Sequence, residues 1–376
     1  MSEKRIIFVT GTRADFGKLK PLMEKVEENE DTECFIFATG MHTLARYGST
    51  FLEILKCGFT NFFPFMNQME SNSSDMDIVL SETIRGLAHY IREVKPDLII
   101  VHGDRVEAMA GAIVGSFNNI RVAHVEGGEL SGTIDELIRH SVSKLSHIHF
   151  VANDDAKRRL MQMGEKPDSI YVIGSPDVDI MLSDTLPNIE VVKEKYEIEF
   201  EDYSILIYHP VTTELDRLRS NVESLVSAVV ESGKNYIVIY PNNDNGSDII
   251  LEAYNKFEGN VQFKQFPSLR FEYFLTLLKH ADMIVGNSST GIHEAPVYGV
   301  PSINIGSRQN NRSKDKDIIH VNGAHEELLH AISSINGHRE VSLDFGRGES
   351  AKMFASVLKK GSIWDISVQK TFQDLC

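Results

Sequence analysis

Charged side chains that could do acid–base chemistry are concentrated between His102 and His149, a stretch that also supplies basic partners for them. Among the acidic groups are Asp104, Glu126 and Asp135, and among the basic ones are Arg105, Arg139 and Lys144. Carboxylates that share a pocket can divide proton transfer between them, because mutual repulsion and burial raise the pKa of some and leave others ionised. The stretch therefore predicts an acid–base site built on three carboxylates.

The same carboxylates have a simpler interpretation as helix caps. Asp and Glu are favoured in the first turn of a helix, where they accept hydrogen bonds and oppose the helix dipole. Here, however, the charge clusters follow the strand-like runs LIIVHGD and IRVAHVEGG, and a glycine pair stands beside Glu126. Ligands of parallel α/β sheets bind outside the carboxyl ends of the strands, so charge clusters at strand ends favour a site over caps alone.

A glycine-bounded loop, GTRADFGK, follows the first apolar run RIIFVT. It is not a Walker A loop, because five residues separate Gly11 from Gly17 and Leu19 stands where a magnesium-binding Ser or Thr is needed. It is not a dinucleotide fingerprint either. Arg13 and Lys18 at a helix N-terminus suit a pyrophosphate, and the alternative is an ordinary charged surface loop.

Polar groups also follow the apolar runs of the second half. They stand in HPVTTE, YPNND, GNSSTGIHE and GSRQ, and are His209, Asn242, Ser288, Ser289, Glu294 and Arg308. Hydroxyls and free N–H groups at the start of a helix can hold phosphate oxygens. A single capping Ser is the alternative for GNSSTG.

Two histidines, His147 and His149, alternate along a predicted strand and raise the question of a metal site. A pair without a third ligand is a weak zinc pattern, so a hydrogen-bonded core is the favoured interpretation. Cys34, Cys57 and Cys376 are far apart and form neither a disulfide framework nor a CxxC motif. The sequence thus predicts no metal, and the chemistry inferred below needs no cofactor.

Short apolar runs alternate with helical patterns over residues 5–178, which predicts a doubly wound parallel sheet. A stretch of weak pattern from 182 to 202 is predicted to be a linker, and a second alternation follows it. We therefore predict an α/β protein with two Rossmann-like domains, 1–178 and 179–362. The final segment, SIWDISVQKTFQDL, is predicted to be a helix within 363–376 that packs back on the first domain.

Composition agrees with an ordinary globular protein of two domains. The chain has 376 residues, more than one core normally supports, and is 42% hydrophobic and 24% charged. No segment resembles a signal peptide or a membrane span, and the cysteine usage fits a reducing cytoplasm. The net charge of -16 argues against nucleic acid or an anionic membrane as partner, but not against a small anionic ligand.

Taken together, the motifs resemble those of the hydrolysing UDP-N-acetylglucosamine 2-epimerases, and the similarity runs nearly from end to end. The segments that carry it are GTRADFGKLKPL, TGMH, HGDRVEA, HVEGGELSGTIDELIRHSVSKL, HPVTTE, YPNND and GNSSTGIHEAPVYGVPSINIGSRQ. A sister group that hydrolyses UDP-N,N'-diacetylbacillosamine is similar over the same segments. The resemblance implies a GT-B-like fold, with the UDP-sugar bound in the cleft between the domains, and a homodimer.

The resemblance also implies roles for individual residues. Asp104, Glu126 and Asp135 align with the catalytic carboxylates of the family. The implied substrate-binding residues of the first domain are Arg13, Lys18, His42, Arg105 and Arg139. Those of the second are His209, Asn242, Ser288, Ser289, Glu294 and Arg308, with Glu294 on the ribose hydroxyls.

The implied reaction eliminates UDP to give 2-acetamidoglucal and then adds water, which inverts carbon 2 and releases N-acetylmannosamine. Inversion needs proton-transfer groups on both faces of the sugar, so we assign Asp104 to the elimination and Glu126 and Asp135 to the hydration. Three alternatives stay open: a GT-B glycosyltransferase, an epimerase that returns a UDP-sugar, and a non-catalytic nucleotide-sugar sensor.

Overall fold

A computed structural model describes residues 3–68, 75–313 and 315–374. The chain divides into two compact units. The first takes the chain up to Glu129, then Asp135–Ser183, and again the chain from Asp344; the second comprises Leu130–Ile134 and Asp184–Leu343. Each unit contains one parallel sheet covered by helices, which confirms the predicted α/β class.

The first unit is built on a seven-stranded sheet. Its strands are β1 Lys4–Thr10, β2 Thr32–Ala38, β3 Phe62–Pro64, β4 Leu98–His102, β5 Arg121–Val125, β6 Ile148–Val151 and β7 Ile170–Val172. They lie in the order β3-β2-β1-β4-β5-β6-β7, and all six pairings are parallel. The strand order reverses between β1 and β4, and this switch point is where parallel sheets open a crevice for ligands.

Helices cover both faces of this sheet because its strands are apolar on both sides. They are α1 Arg13–Glu27, α2 Leu52–Lys56, α3 Met76–Val94, α4 Val106–Phe117, α5 Ile134–Leu145, α6 Asp154–Gln162 and α7 Pro176–Met181. Continuous burial on both faces is what a parallel sheet requires, and side chains such as Phe8, Ile100 and Val125 are fully buried.

The second unit repeats the arrangement with six strands. They are β8 Ser204–Ile207, β9 Tyr236–Ile239, β10 Phe263–Phe266, β11 Ile284–Gly286, β12 Ser302–Ile305 and β13 Ile319–Val321. The order is β10-β9-β8-β11-β12-β13, all parallel, with its switch point between β8 and β11. The helices are α8 Ile189–Tyr196, α9 Leu215–Glu231, α10 Ser247–Tyr254, α11 Phe271–Lys279, α12 Glu294–Val297 and α13 His325–Ser334.

The structure differs from the sequence-based expectation at the weakly patterned segments. The edge strands β3 and β13, of three residues each, were not predicted. The predicted linker 182–202 contains helix α8. The polar, Met-rich composition of residues 61–74 predicts a loop; this segment lies partly outside the described residues, and its described part includes β3.

The chain returns to the first unit at Asp344, earlier than the predicted return at residue 363, so 344–362 belong to the first unit. Helix α14, Ser350–Lys359, follows this return and packs on the first unit. Its N–H groups at Ser350 and Ala351 donate to the Asp179 carboxylate at 2.9 and 2.8 Å. The Phe354 ring packs edge-on against Phe150, with centroids 5.0 Å apart.

The helix predicted within 363–376 is absent from its described part, which has only a 3-10 turn, Ser362–Asp365, followed by irregular chain to residue 374. The backbone groups that would form helical bonds have other partners. Arg121 donates to the Ile366 carbonyl at 2.8 Å, and His147 Nε2 lies 3.0 Å from the Val368 carbonyl.

Within the residues described, none of the helices has the length and apolar character needed to cross a bilayer.

Replacing Phe354 by Ala should destabilise the first unit by about 3–5 kcal/mol, because the ring is fully buried against the sheet and its removal leaves a cavity. Met353, its neighbour on α14, is 42% exposed, so Met353→Ala is the matched control and should change stability by less than about 0.5 kcal/mol. Urea unfolding measures both. Equal losses would show that α14 does not pack as described.

Candidate active site

The three predicted catalytic carboxylates meet around one buried guanidinium, that of Arg139 on α5. Arg139 Nη2 donates to Asp104 Oδ2, and Nη1 donates to the backbone carbonyl of Glu126 at 2.6 Å. Asp135 lies one helical turn before Arg139 on α5. Arg139 is 2% exposed; burial would lower its pKa, but Asp104, then Glu129, Glu126 and Asp135, raise it. The acidic groups of this cluster are thus held next to the fixed positive charge of Arg139.

Glu126 stands directly after β5 with a left-handed backbone, φ +60°. A non-glycine residue in this region carries strain of about 1 kcal/mol or more, and such strain clusters at functional sites. The glycines that follow allow the chain to turn here. At Gly128, where φ is +77°, an added Cβ would lie 2.4 Å from the Ala156 carbonyl oxygen.

His102, the last residue of β4, joins two carboxylates. Its Nδ1 lies 2.7 Å from Asp15 Oδ1 and its Nε2 lies 3.0 Å from Glu126 Oε2. Burial alone would lower the pKa of His102, but the two carboxylates outweigh it and raise the pKa to about 10. The imidazole is therefore protonated at neutral pH and donates to both.

Two other buried histidines are neutral. His124 Nε2 lies 2.8 Å from the Gly103 carbonyl, so it carries the proton, and Nδ1 accepts from the Ser143 hydroxyl at 3.0 Å. Burial lowers the pKa of His124 to about 3 and that of His42 to about 4. Both rings support the site's loops as hydrogen-bonded, uncharged groups.

The predicted cations of the first unit, Arg13, Lys18 and Arg105, follow β1 and β4, and each has an acidic partner. Arg13 Nη2 lies 2.8 Å from Glu53 Oε1, and Arg105 Nε lies 3.3 Å from Glu107 Oε2. These cations are fixed in position by carboxylates from α2 and α4.

Lys18, the third cation of this group, stands one turn further along α1. Its Nζ lies 3.0 Å from Asp177 Oδ2. Asp177, on α7, is 1% exposed, so a buried carboxylate orients this ammonium.

His42 and Arg139, both predicted to bind substrate, have other contacts in the structure. His42 is fully buried, and its ring nitrogens lie 3.1 Å from Thr10 Oγ1 and 2.8 Å from Thr50 Oγ1. Arg139 bridges Asp104 and the Glu126 backbone as described above. Both side chains are buried and hydrogen-bonded at these positions, and their role in binding substrate stays a prediction.

In the second unit, Asn287 ties the ends of β8 and β11 together at the switch point. Its side chain accepts from the His209 N–H at 2.7 Å and donates to the His209 carbonyl at 2.8 Å. His209 Nδ1 in turn accepts from the Asn242 N–H at 3.0 Å. This approach depends on Gly286, where an added Cβ would lie 1.8 Å from the Ile207 carbonyl oxygen.

The remaining predicted residues of the second unit lie in the segments that follow β11 and β12. Ser288 accepts from the Thr290 N–H at 3.3 Å, which is the capping role that the sequence left open. Ser289 begins a 3-10 turn, and Glu294, 2% exposed, begins α12. Arg308 Nη1 lies 3.4 Å from the Asn287 carbonyl. The six predicted groups thus follow the carboxyl ends of β8, β9, β11 and β12.

The residues that touch these groups and that sequence reasoning missed include Asp15, Ser175, Asp177 and Asn287. Ser175 Oγ donates to Glu126 Oε1, so both oxygens of this carboxylate have partners. Asp15 looked like an ordinary first-turn acid, and Asp177 like part of a turn. Asn287 lies inside the motif GNSSTG, in which phosphate binding was assigned to the adjacent serines.

His147 and His149, considered as a metal pair, are hydrogen-bonded within the first unit. His147 Nδ1 accepts from the Val122 N–H at 3.0 Å, and His149 Nε2 lies 3.1 Å from Glu165 Oε2. These contacts fit the hydrogen-bonded core that the sequence favoured.

A family model and similar sequences both place the chain in one family of known proteins. A family model described as UDP-N-acetylglucosamine 2-epimerase matches residues 24–359. A Neisseria meningitidis protein named UDP-N-acetylglucosamine 2-epimerase is 48% identical, over 99% of both chains. A Legionella pneumophila protein named UDP-N,N'-diacetylbacillosamine 2-epimerase (hydrolyzing) is 32% identical, over 95% of this chain and 96% of its own.

Among solved structures, the UDP-N-acetylglucosamine 2-epimerase of Methanocaldococcus jannaschii in complex with UDP-N-acetylglucosamine and UDP superposes with a TM-score of 0.81. It is 24% identical and covers 95% of this chain and 100% of its own. At this identity the similarity establishes the fold.

Acidification should destabilise the first unit in part through His124. Its pKa is about 3 in the folded protein against an ordinary 6.5, so the folded state binds fewer protons. The stability it contributes is present above pH 6.5 and is lost as the pH falls toward 3. His124→Asn should flatten the fall in unfolding free energy between pH 6.5 and 4, measured in urea, whereas His89→Asn on the exposed side of α3 should not. An unchanged slope in His124→Asn would contradict a neutral His124.

Proposed function

Since the chain belongs to the UDP-N-acetylglucosamine 2-epimerase family, we propose that it is the hydrolysing form, which converts UDP-N-acetylglucosamine and water to N-acetylmannosamine and UDP. The observation that carries the proposal is the gathering of Asp104, Glu126 and Asp135 around Arg139. The word "hydrolyzing" in the name of the Legionella relative supports this form of the reaction.

The groups at the carboxyl ends of the second sheet suit the UDP moiety. Ser288 and Ser289 offer hydroxyls and N–H groups to diphosphate oxygens, and Arg308 adds a positive charge. Glu294 can accept hydrogen bonds from the ribose hydroxyls. Fixed donors of this kind stabilise the charge that develops on a departing diphosphate.

Elimination removes the proton from carbon 2 and breaks the bond between carbon 1 and the UDP oxygen. The electron pair of the C–H bond becomes the carbon 1–carbon 2 double bond, and UDP leaves with the electrons of the C–O bond. We assign the proton to Asp104, whose carboxylate is held by the Arg139 guanidinium. Arg13, Lys18 and Arg105 add positive charge from the first unit.

Hydration of the resulting 2-acetamidoglucal completes the reaction. Water adds to carbon 1, and carbon 2 receives a proton. This proton arrives on the face opposite to the one that lost a proton in the elimination, which gives the manno configuration. Glu126 and Asp135 share this step, one as base toward water and the other as acid toward carbon 2.

A second candidate substrate is UDP-N,N'-diacetylbacillosamine, which the name of the Legionella relative specifies. The reaction would be the same, and only the substituents at carbons 4 and 6 differ. The greater identity to the Neisseria protein, 48% against 32%, favours UDP-N-acetylglucosamine.

The products decide between these functions. In D2O with each UDP-sugar supplied separately, we expect UDP-N-acetylglucosamine to yield UDP and free N-acetylmannosamine with one deuterium on carbon 2, as read by NMR. A returned UDP-sugar would contradict hydrolysis. Transfer of the sugar to an acceptor without exchange at carbon 2 would indicate a glycosyltransferase, and turnover of the bacillosamine substrate alone would overturn the substrate assignment.

Neutral replacements of the carboxylates should abolish most turnover. Asp104→Asn, Glu126→Gln and Asp135→Asn should each lower kcat by about 10²–10⁴-fold, as expected for the loss of an acid–base group. The affinity for UDP, measured by calorimetry, should change little. Glu136→Gln is the control, because Glu136 neighbours Asp135 on α5 but pairs with His140. Near wild-type turnover in all three variants would refute the scheme.

A further inference from the structure

A series of hydrogen bonds along the carboxyl edge of the first sheet reaches Glu126. Asp15 on α1 contacts His102 Nδ1 at 2.7 Å, His102 Nε2 contacts Glu126 Oε2 at 3.0 Å, and Ser175 donates to Glu126 Oε1. Asp15, His102 and Ser175 have no role in the function proposed above. All members of this series stand at the carboxyl ends of strands or in the first turn of the following helix.

We propose that His102 and Asp15 are positioning residues that keep Glu126 as a carboxylate with a fixed orientation, so that Glu126 is the base toward water in the hydration step. The inference rests on the proposed function and deepens it. It leaves Asp135 as the acid that delivers the proton to carbon 2. Before the step, Asp135 takes up a proton from solvent. In the step, a water proton passes to Glu126, the water oxygen bonds to carbon 1, and the double-bond electrons take the proton from Asp135; Asp104 and Glu126 afterwards release the protons they gained to solvent.

The geometry fixes the direction of each hydrogen bond. Asp15 Oδ2 accepts from the Gly11 N–H at 2.9 Å, and the Asp15 N–H donates to the Thr12 side chain at 3.1 Å, so this carboxylate is held rigidly at the start of α1. Although burial acts to raise it, the contacts with His102 lower the pKa of Asp15. An ionised Asp15 requires a proton on His102 Nδ1, and donation to Glu126 requires a second proton on Nε2. His102 is then an imidazolium that a neutral tautomer cannot replace.

The charges around His102 agree with this state. Asp15 faces it from α1 and Glu126 from the end of β5, whereas His124 on the adjacent strand is neutral. Arg139 donates to the backbone carbonyl of Glu126, and the Glu126 charge also raises the pKa of Arg139. His102 thus gives the Glu126 side chain a charged donor at 3.0 Å.

Two substitutions separate the two bonds of the imidazole. The Asn amide can replace Nδ1 and keep the contact with Asp15, whereas the Gln amide can replace Nε2 and keep a neutral donor to Glu126. We expect His102→Asn to lower kcat by about 10²-fold or more and His102→Gln by about 10-fold, with KM changed by less than about threefold in both. The acidic limb of the kcat profile should move to higher pH in His102→Gln, because the positive charge that favours ionised Glu126 is gone.

A double-mutant cycle distinguishes positioning from a general structural role. If His102 acts through Glu126, His102→Asn should cost less than about threefold in kcat when Glu126 is already Gln. A full, additive loss in that background would overturn the proposal. Thermal unfolding and UDP affinity of each variant establish that the fold is retained. Asp15→Asn repeats the test at the other end of the Asp15–His102–Glu126 hydrogen-bond series.

A spectroscopic measurement tests the charge state without reference to turnover. In full-length protein labelled with ¹⁵N-histidine, both His102 nitrogens should show imidazolium shifts at pH 8, and Asp15→Asn should lower the pH at which these shifts are lost. The His102→Asn spectrum assigns the signals. A neutral His102 at pH 8 would refute the inference, whereas an imidazolium in a protein that hydrolyses no UDP-sugar would refute the proposed function instead.

Discussion

The site of the first unit depends on one constraint, which is that the buried guanidinium of Arg139 must be neutralised. A charge removed from water is tolerated only with compensating charges and hydrogen bonds. Arg139 finds them at Asp104 and at the Glu126 carbonyl, which lie at the ends of two neighbouring strands. Helix α5 is thereby fixed against β4 and β5, and Asp135 is placed one turn away. Removing the guanidinium would leave these acids without a common anchor.

A second positive charge, the His102 imidazolium, serves Glu126 in the same way. The two cations divide the carboxylates between them, with Arg139 on Asp104 and His102 on the Glu126 side chain. Acid–base catalysis at neutral pH needs carboxyl groups whose environments differ, because one must accept a proton while another donates it. Asp135, in the first turn of α5, is in a third environment. This asymmetry is the physical basis for assigning separate roles to the three groups.

Much of this arrangement could be predicted from the sequence, because short β-branched runs followed by polar clusters are typical of parallel strands ending at a site. The central strands and the cluster around Asp104 and Glu126 followed from that pattern, whereas the strand order was not predicted. The left-handed backbone at Glu126 could not be predicted, since the residue type gives no sign of it. Asp15 was missed because a first-turn acid is usually only a cap, and here it is a cap and also a partner of His102.

The predictions that were wrong concern segments whose structure depends on long-range contacts. The tail after Ile363 has a helical pattern, but Arg121 and His147 engage its carbonyls, and these partners lie more than 200 positions away in the sequence. The early return at Asp344 depends on Asp179, whose carboxylate caps α14 from across the first unit. Local periodicity carries no information about such partners. The clamp between Asn287 and His209 was missed for the same reason.

The central claim, that different carboxylates act in different steps, is tested most directly by supplying 2-acetamidoglucal together with UDP and measuring its hydration to N-acetylmannosamine. The account predicts that Asp104→Asn hydrates this intermediate at a rate close to that of the wild-type protein, because Asp104 acts only in the elimination, whereas Glu126→Gln loses the hydration. Equal loss in both variants, or equal retention, would contradict the assignment.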